Sequence, residues 1–159
     1  MTTIDTLRLE LAGDPEGLNY AAMSDPEVAD AINAPSRTVR GTVQASDVRR
    51  FVLLNGIWPR IAAAAQSHTD PTVQGTAITI LQTLAPNSFD EIRMGDQQVF
   101  GAVTQMLGTL VSAGVMAADQ RDAMISLGNV MISRATELGL PHVHHTDIGL
   151  ARQSVEGDA

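Results

Sequence analysis

The stretch from Asp96 to Leu140 constrains this chain most. From Gln97 to Ala118 there are 22 residues without a formal charge, and apolar side chains recur through it at helical spacing. Val99, Val103, Met106, Leu107 and Leu110 stand three and four residues apart, which puts them on one face of a helix from about Asp96 to Ser112. Met124, Leu127, Ile132, Ala135 and Leu138 nearly repeat the pattern. They predict a second helix from about Ala118 to Leu138, with Ala113–Ala117 as the turn. Gly101, Gly108 and Gly114 each cost about 1 kcal/mol of helix propensity where interior, so a close approach of two backbones is expected there. A hairpin with apolar stripes and almost no reactive side chains points to packing or assembly rather than turnover.

The rest of the chain also reads as helices. A first helix is expected over Thr3–Leu11, stopped at Gly13, with a turn at Asp14-Pro15-Glu16-Gly17. Ser24-Asp25-Pro26-Glu27 is a helix start: Ser24 caps, Glu27 completes a capping box, and Pro26 falls where a missing N–H costs nothing. That helix ends near Asn33. Ser36–Val43 is β-branched and alternating, which reads as an extended arm or a short strand, exposed through Arg37 and Arg40, with a simple connector as the plainer reading. Helices follow over Asp47–Leu54, Ile57–Ser67 and from Asp70-Pro71 to Leu84, the last with a core face of Val73, Ala77, Ile80, Leu81 and Leu84. A helical turn from Asn87-Ser88 through Ile92 comes next. After the hairpin, Gly139 is a left-handed helix stop with Leu140 folding back, and Thr146-Asp147 opens a last helix over Asp147–Gln153. The expected fold is all-α: a single-domain multi-helix bundle over residues 1–154, with a long C-terminal helical hairpin, one short extended arm and a flexible tail at 155–159.

Composition removes several function classes. There is no Cys, which excludes disulfides, thiolate catalysis and Cys-based zinc sites. There is no Lys, the ten Arg are dispersed, and Arg49–Arg50 is the only adjacent basic pair. With a net charge of −8, this argues against nucleic-acid binding. Aromatic residues make up 3% of the chain, too few for a ring-lined ligand pocket. Met1–Ala12 has neither the basic start nor the apolar core of a signal peptide, so signal-directed secretion is not expected. The uncharged run Gln97–Ala118 is long enough to span a bilayer. However, Gln97, Gln98, Thr104, Gln105, Thr109 and Ser112 interrupt it and flanking anchors are missing, so a buried core helix is expected and a membrane partner is not.

Three features carry possible chemistry. His142-Val143-His144-His145, with Asp147 nearby, is the one cluster of metal-ligand residue types. Its spacing lacks the helical i, i+4 pattern of metalloenzyme signatures, and a polar connector explains it as well. Asp90, Glu91 and Asp96 can form an acidic lip, although no second carboxylate group is placed by sequence to pair with them, and a solvated helix start, where acids favour the first turn, is the plainer reading. Trp58 suits an interface anchor or a core position equally. No nucleophile elbow and no Gly-rich phosphate loop is present. No catalytic, cofactor-binding or metal residue is assigned, and an enzyme is not expected.

Two segments carry a resemblance. Asp14–Asn33 has a turn at Asp14, Pro15, Gly17 and Tyr20, then a cap at Met23, Ser24 and Asp25. Ser133–Arg152 begins Ser-Arg-x-x-Glu-Leu-Gly-Leu and closes with a short extended piece and a helix. In these two segments the chain resembles small uncharacterised helical proteins encoded in tailed-bacteriophage and prophage genomes. Thr38–Asp47 follows the same pattern loosely, and residues 55–95 do not follow it. The resemblance implies a phage origin and a virion structural or accessory protein, head–tail or tail-associated. Its implied partners are other virion proteins or copies of itself, met in the host cytoplasm during assembly and retained in the virion. The alternative is a non-virion cytoplasmic phage protein, such as an assembly chaperone or an acidic inhibitor of a host enzyme.

Overall fold

A computed structural model describes residues 1–86 and 88–156, the side chains of 154–156 excepted. Among the described residues the elements run α1 (Thr3–Gly13), a 3-10 turn (Tyr20–Ala22), α2 (Asp25–Asn33), β1 (Pro35–Arg40), β2 (Thr42–Gln44), α3 (Ala45–Leu54), α4 (Trp58–Ser67), α5 (Pro71–Thr83), β3 (Glu91–Arg93), α6 (Gln97–Ser112), α7 (Ala118–Ser126), β4 (Asn129–Ser133), α8 (Arg134–Glu137) and α9 (His145–Glu156). The chain is 62% helical and carries two small two-stranded sheets, β1–β4 and β2–β3. The all-α expectation is therefore wrong, and the fold is mixed. The arm expected over Ser36–Val43 is extended, but it is not free: it is taken up into both sheets. The alternation of Ser36–Val43 marks it as extended, but the strands that pair with it, β3 and β4, are three and five residues long and lie far away in sequence.

The chain divides into two compact units. Residues 1–38 and 131–159 form the first, and residues 39–130 the second. The chain passes between them along β1 and again along β4. Each unit has its own core. In the first, Leu7, Tyr20, Val28, Ile32, Val143 and Ile148 are at most 1% exposed and pack together. In the second, Val52, Ile57, Ile61, Ala77 and Leu110 are fully buried in a cluster to which α3 through α7 all contribute. Burying each large aliphatic side chain contributes about 1.5–3 kcal/mol.

The helix ends follow local chemistry. Thr2 and Asp5 cap α1 reciprocally: the Asp5 N–H donates to Thr2 Oγ1, and the Thr2 N–H donates to the Asp5 carboxylate. Glu27 accepts from both the N–H and the hydroxyl of Ser24 at 2.7 Å, and α2 spans Asp25–Asn33 as expected. Asp70 caps α5 by accepting from the Thr72 N–H, and Asp96 caps α6 by accepting from the N–H groups of Gln98 and Val99. Gly139 has φ +68°, and the Leu140 N–H returns to the Ala135 carbonyl at 2.9 Å, which is the expected left-handed stop.

The hairpin is half right. α6 spans Gln97–Ser112 and Gly114 turns the chain at φ +71°, but the second helix stops at Ser126 rather than Leu138. The N–H groups of Leu127 and Gly128 turn back to Met124 and Ile125, and the chain continues as β4. A side chain at Gly128 would meet Met94 Cγ at 2.6 Å, so the break is packed against a neighbour. The expected stripe Met124–Leu138 is consequently divided. Met124 enters the core of the second unit and Ala135 that of the first, while Leu127 is exposed. Nothing lies within 4 Å of a Cβ added at Gly101 or Gly108, so close helix approach does not explain either glycine. The helical turn expected through Ile92 is instead β3 at Glu91–Arg93, and Asn87 lies outside the described residues. The last helix runs from His145 through Glu156, into the tail expected to be flexible, and residues 157–159 lie outside the described residues.

Candidate functional site

Among its described residues, the second unit carries a groove of about 830 Å³. It is built by α6, by β3 with the loop before it, and by the end of α5. The β2–β3 ladder sets it up: Thr42 faces Arg93, Val43 faces Ile92 and Gln44 faces Glu91. Strand alternation turns Val43 and Ile92 inward and leaves Glu91 and Arg93 exposed. The half-buried Val99, Val103 and Met106 of α6 line the groove with Ile92. Around them stand Phe89, which is 59% exposed, and the carboxylates of Asp90, Glu91 and Asp96. Asp90, Glu91 and Asp96, which read more simply as a solvated helix start, thus stand at the edge of one apolar groove. The Arg93 Nε donates to Glu91 Oε1 at 3.1 Å, an exposed contact that contributes little stability. Asp96 is also the cap of α6, so its carboxylate is held in place.

Beside this rim begins a second exposed surface. The Ala45 N–H donates to the Asp90 carbonyl at 2.9 Å, which ties the first residue of α3 to the rim. α3 buries Ala45, Val48 and Val52 and turns Arg50, Leu53 and Leu54 outward, with Arg49 half-buried beside them. Leu53 is 59% and Leu54 76% exposed. Neither Arg49 nor Arg50 forms an ion pair among the described residues. Sequence reading missed this face because Leu53 and Leu54 look like core residues. The adjacent Arg49–Arg50 pair was the available signal.

The first unit holds a buried ion-pair network. Glu10 is 4% exposed, and both of its carboxylate oxygens are engaged by Arg134: Nε donates to Oε1 at 2.8 Å and Nη2 to Oε2 at 2.6 Å. The Tyr20 hydroxyl donates to Glu10 Oε1 at 3.3 Å, and Arg134 Nη1 donates to Glu137 at 2.7 Å. Arg37 extends the network to Glu137 and Glu16. Burial first, then the Glu10 charge, pushes the Tyr20 phenol up to about 12. The hydrogen bonds to Glu10 and Glu137 raise the Arg134 pKa and hold it charged. With every partner committed to another, this is a fastening rather than a reactive centre. It joins residues 124 positions apart, which no local pattern signals.

His142 and His144 lie in the segment before α9, His145 is its first residue, and all three are exposed. The rings of His142 and His144 meet edge to face, with centroids 5.0 Å apart. Between them Val143 is buried, held by Asn33 in both directions: the Asn33 amide donates to the Val143 carbonyl at 2.7 Å and accepts from its N–H at 3.0 Å. Asp147 is used up as a cap, accepting from the His144 N–H. Among the described residues no group of three His, Asp or Glu side chains is placed to hold a metal ion. Among the same residues no helix is long and apolar enough to cross a membrane. Trp58 packs half-buried against the core of the second unit.

Asp14–Asn33 and Ser133–Arg152 come together in the first unit. Arg152 donates to Asp25 at 2.6 Å and to the carbonyls of Tyr20 and Met23, and α2 packs on both α8 and α9. Comparison with known proteins finds no matching family model, no matching curated protein and no matching solved structure.

Proposed function

We propose that this protein is a structural or accessory component of tailed-phage particles, head–tail or tail-associated, that acts by packing against other protein surfaces rather than by catalysis. The observation that carries the packing role is the groove of the second unit. It is apolar inside, with an exposed Phe89 and three carboxylates at its edge. Soluble chains seldom leave such a surface open without a partner. The phage setting rests on the resemblance of Asp14–Asn33 and Ser133–Arg152. The acidic rim also favours one other reading, a non-virion protein that captures a basic partner in the host cytoplasm.

Mass spectrometry of gradient-purified particles decides between them. The proposal expects this chain in the particle at a fixed ratio to the major capsid protein. Abundance in the lysate with absence from particles would overturn it and leave the cytoplasmic binder.

A further inference from the structure

We propose that the groove of the second unit is filled by α3 of a second copy of this chain, and reciprocally, so that the protein forms a two-fold dimer. This deepens the packing role proposed above by naming the partner of that surface.

The argument is complementarity in both charge and apolarity. The groove offers a half-buried apolar lining and the carboxylates of Asp90, Glu91 and Asp96, with Arg93 on the same rim paired to Glu91, so the rim carries a net negative charge. The outer side of α3 offers Leu53 and Leu54 for the lining and the half-buried Arg49 and exposed Arg50 for the carboxylates, against Asp47 as the one acid of this helix. A ten-residue helix is about 15 Å long, short enough to lie along one groove. The two surfaces share no residue, and the hydrogen bond from Ala45 to Asp90 makes them neighbours on one unit. Adjacent acidic and basic patches satisfy each other twice across a two-fold axis: α3 of each copy meets the groove of the other, and the assembly closes. The chain has no Lys, and its other Arg residues are scattered, so Arg49–Arg50 is the one adjacent basic pair it can offer to its own carboxylates.

The test is sedimentation equilibrium of the full chain at low and moderate salt. The expected species has twice the 16.8 kDa monomer mass, and its dissociation constant rises with salt because the rim contacts are ionic. Two charge-reversal variants follow. The first, Arg49→Glu with Arg50→Glu, makes α3 acidic. The second, Asp90→Lys with Glu91→Lys, makes the groove rim basic. All four side chains lie outside the core, so both variants are expected to keep the parent far-UV circular dichroism. Each alone places like charges together twice and weakens the dimer on the order of a hundredfold or more. Mixed in equal amounts, the two variants present opposite charges at both contacts and are expected to form a mixed dimer.

Recovery on mixing cannot come from misfolded variants, so that outcome supports the proposal directly. A monomeric parent at tens of micromolar, a parent larger than a dimer, dimers unaffected by either reversal, or a mixture that stays monomeric would each overturn it. Particle composition and dimerisation are read separately: a dimer absent from virions would sink the virion reading and leave this inference standing.

Discussion

At the scale of single residues, Glu10, Tyr20 and Arg134 hold the first unit in the least forgiving way. A buried ion pair contributes little over a well-packed apolar replacement, but removing one partner strands the other charge in a dry site. Arg134→Met is therefore expected to destabilise the first unit by about 3–5 kcal/mol. The double variant Glu10→Leu, Arg134→Met should recover part of that loss, and urea denaturation of both reads the difference. Tyr20 is the only tyrosine in the chain, so its ionisation can be followed by absorbance without ambiguity. Its midpoint is expected near 12 rather than the ordinary 10. The sign follows from linkage. Above pH 10 the unfolded chain loses a proton that the folded chain keeps, so the contribution is complete below pH 10 and disappears between 10 and 12. It amounts to roughly 2–3 kcal/mol. Tyr20→Phe should flatten the fall in melting temperature over that interval, and an unchanged slope would remove Tyr20 as its cause.

At the scale of elements, two kinds of glycine behave oppositely. A Cβ at Gly95 would sit 2.9 Å from the Arg40 carbonyl oxygen, a backbone atom that cannot swing away, and the Gly95 N–H already donates to the Gly41 carbonyl at 3.0 Å. Gly95→Ala should cost about 1–3 kcal/mol and loosen the junction between β3 and α6. At Gly108, in the middle of α6, an added Cβ meets nothing within 4 Å. Gly108→Ala should stabilise by about 0.5–1 kcal/mol through helix propensity. Thermal melts of the two variants are expected to shift in opposite directions. The comparison also explains the misread hairpin. A helical glycine in open space and a glycine packed against Met94, as at Gly128, look the same in the sequence, and only the neighbour separates them.

At the scale of the molecule, the two hydrophobic cores share no residue. Ile61→Ala is expected to remove about 2–5 kcal/mol and to lower amide protection within residues 39–130, leaving that of the first unit in place. Ile32→Ala should do the reverse. Hydrogen exchange resolved by residue distinguishes this from a single cooperative unit, in which either substitution would lower protection throughout.

Much of the helical framework was legible in the sequence, because helix ends are local. Ser24 and Glu27, Asp70, Asp96 and Gly139 each act on backbone groups within a few residues of themselves, and the structure uses all of them as their chemistry dictates. Asp90, Glu91 and Asp96 are neighbours in the chain, so their nearness was legible, but whether they form a helix start or the edge of a groove was not. The extended stretch over Ser36–Val43 was legible as well, but β3, β4 and the pairing of the strands were not. β1 finds its partner about ninety residues away in β4, and three residues of β3 become a strand only because β2 lies against them. The break at Gly128, the division of the apolar stripe between two cores, the pairing of Glu10 with Arg134 and the apolar groove behind the lip have the same origin. Each depends on which surfaces distant segments present to one another. The sequence by itself therefore determined those helix ends that carry their own cap or glycine stop, and the tertiary structure decided where a helical pattern gives way to a strand, which apolar residues share a core and which stay exposed.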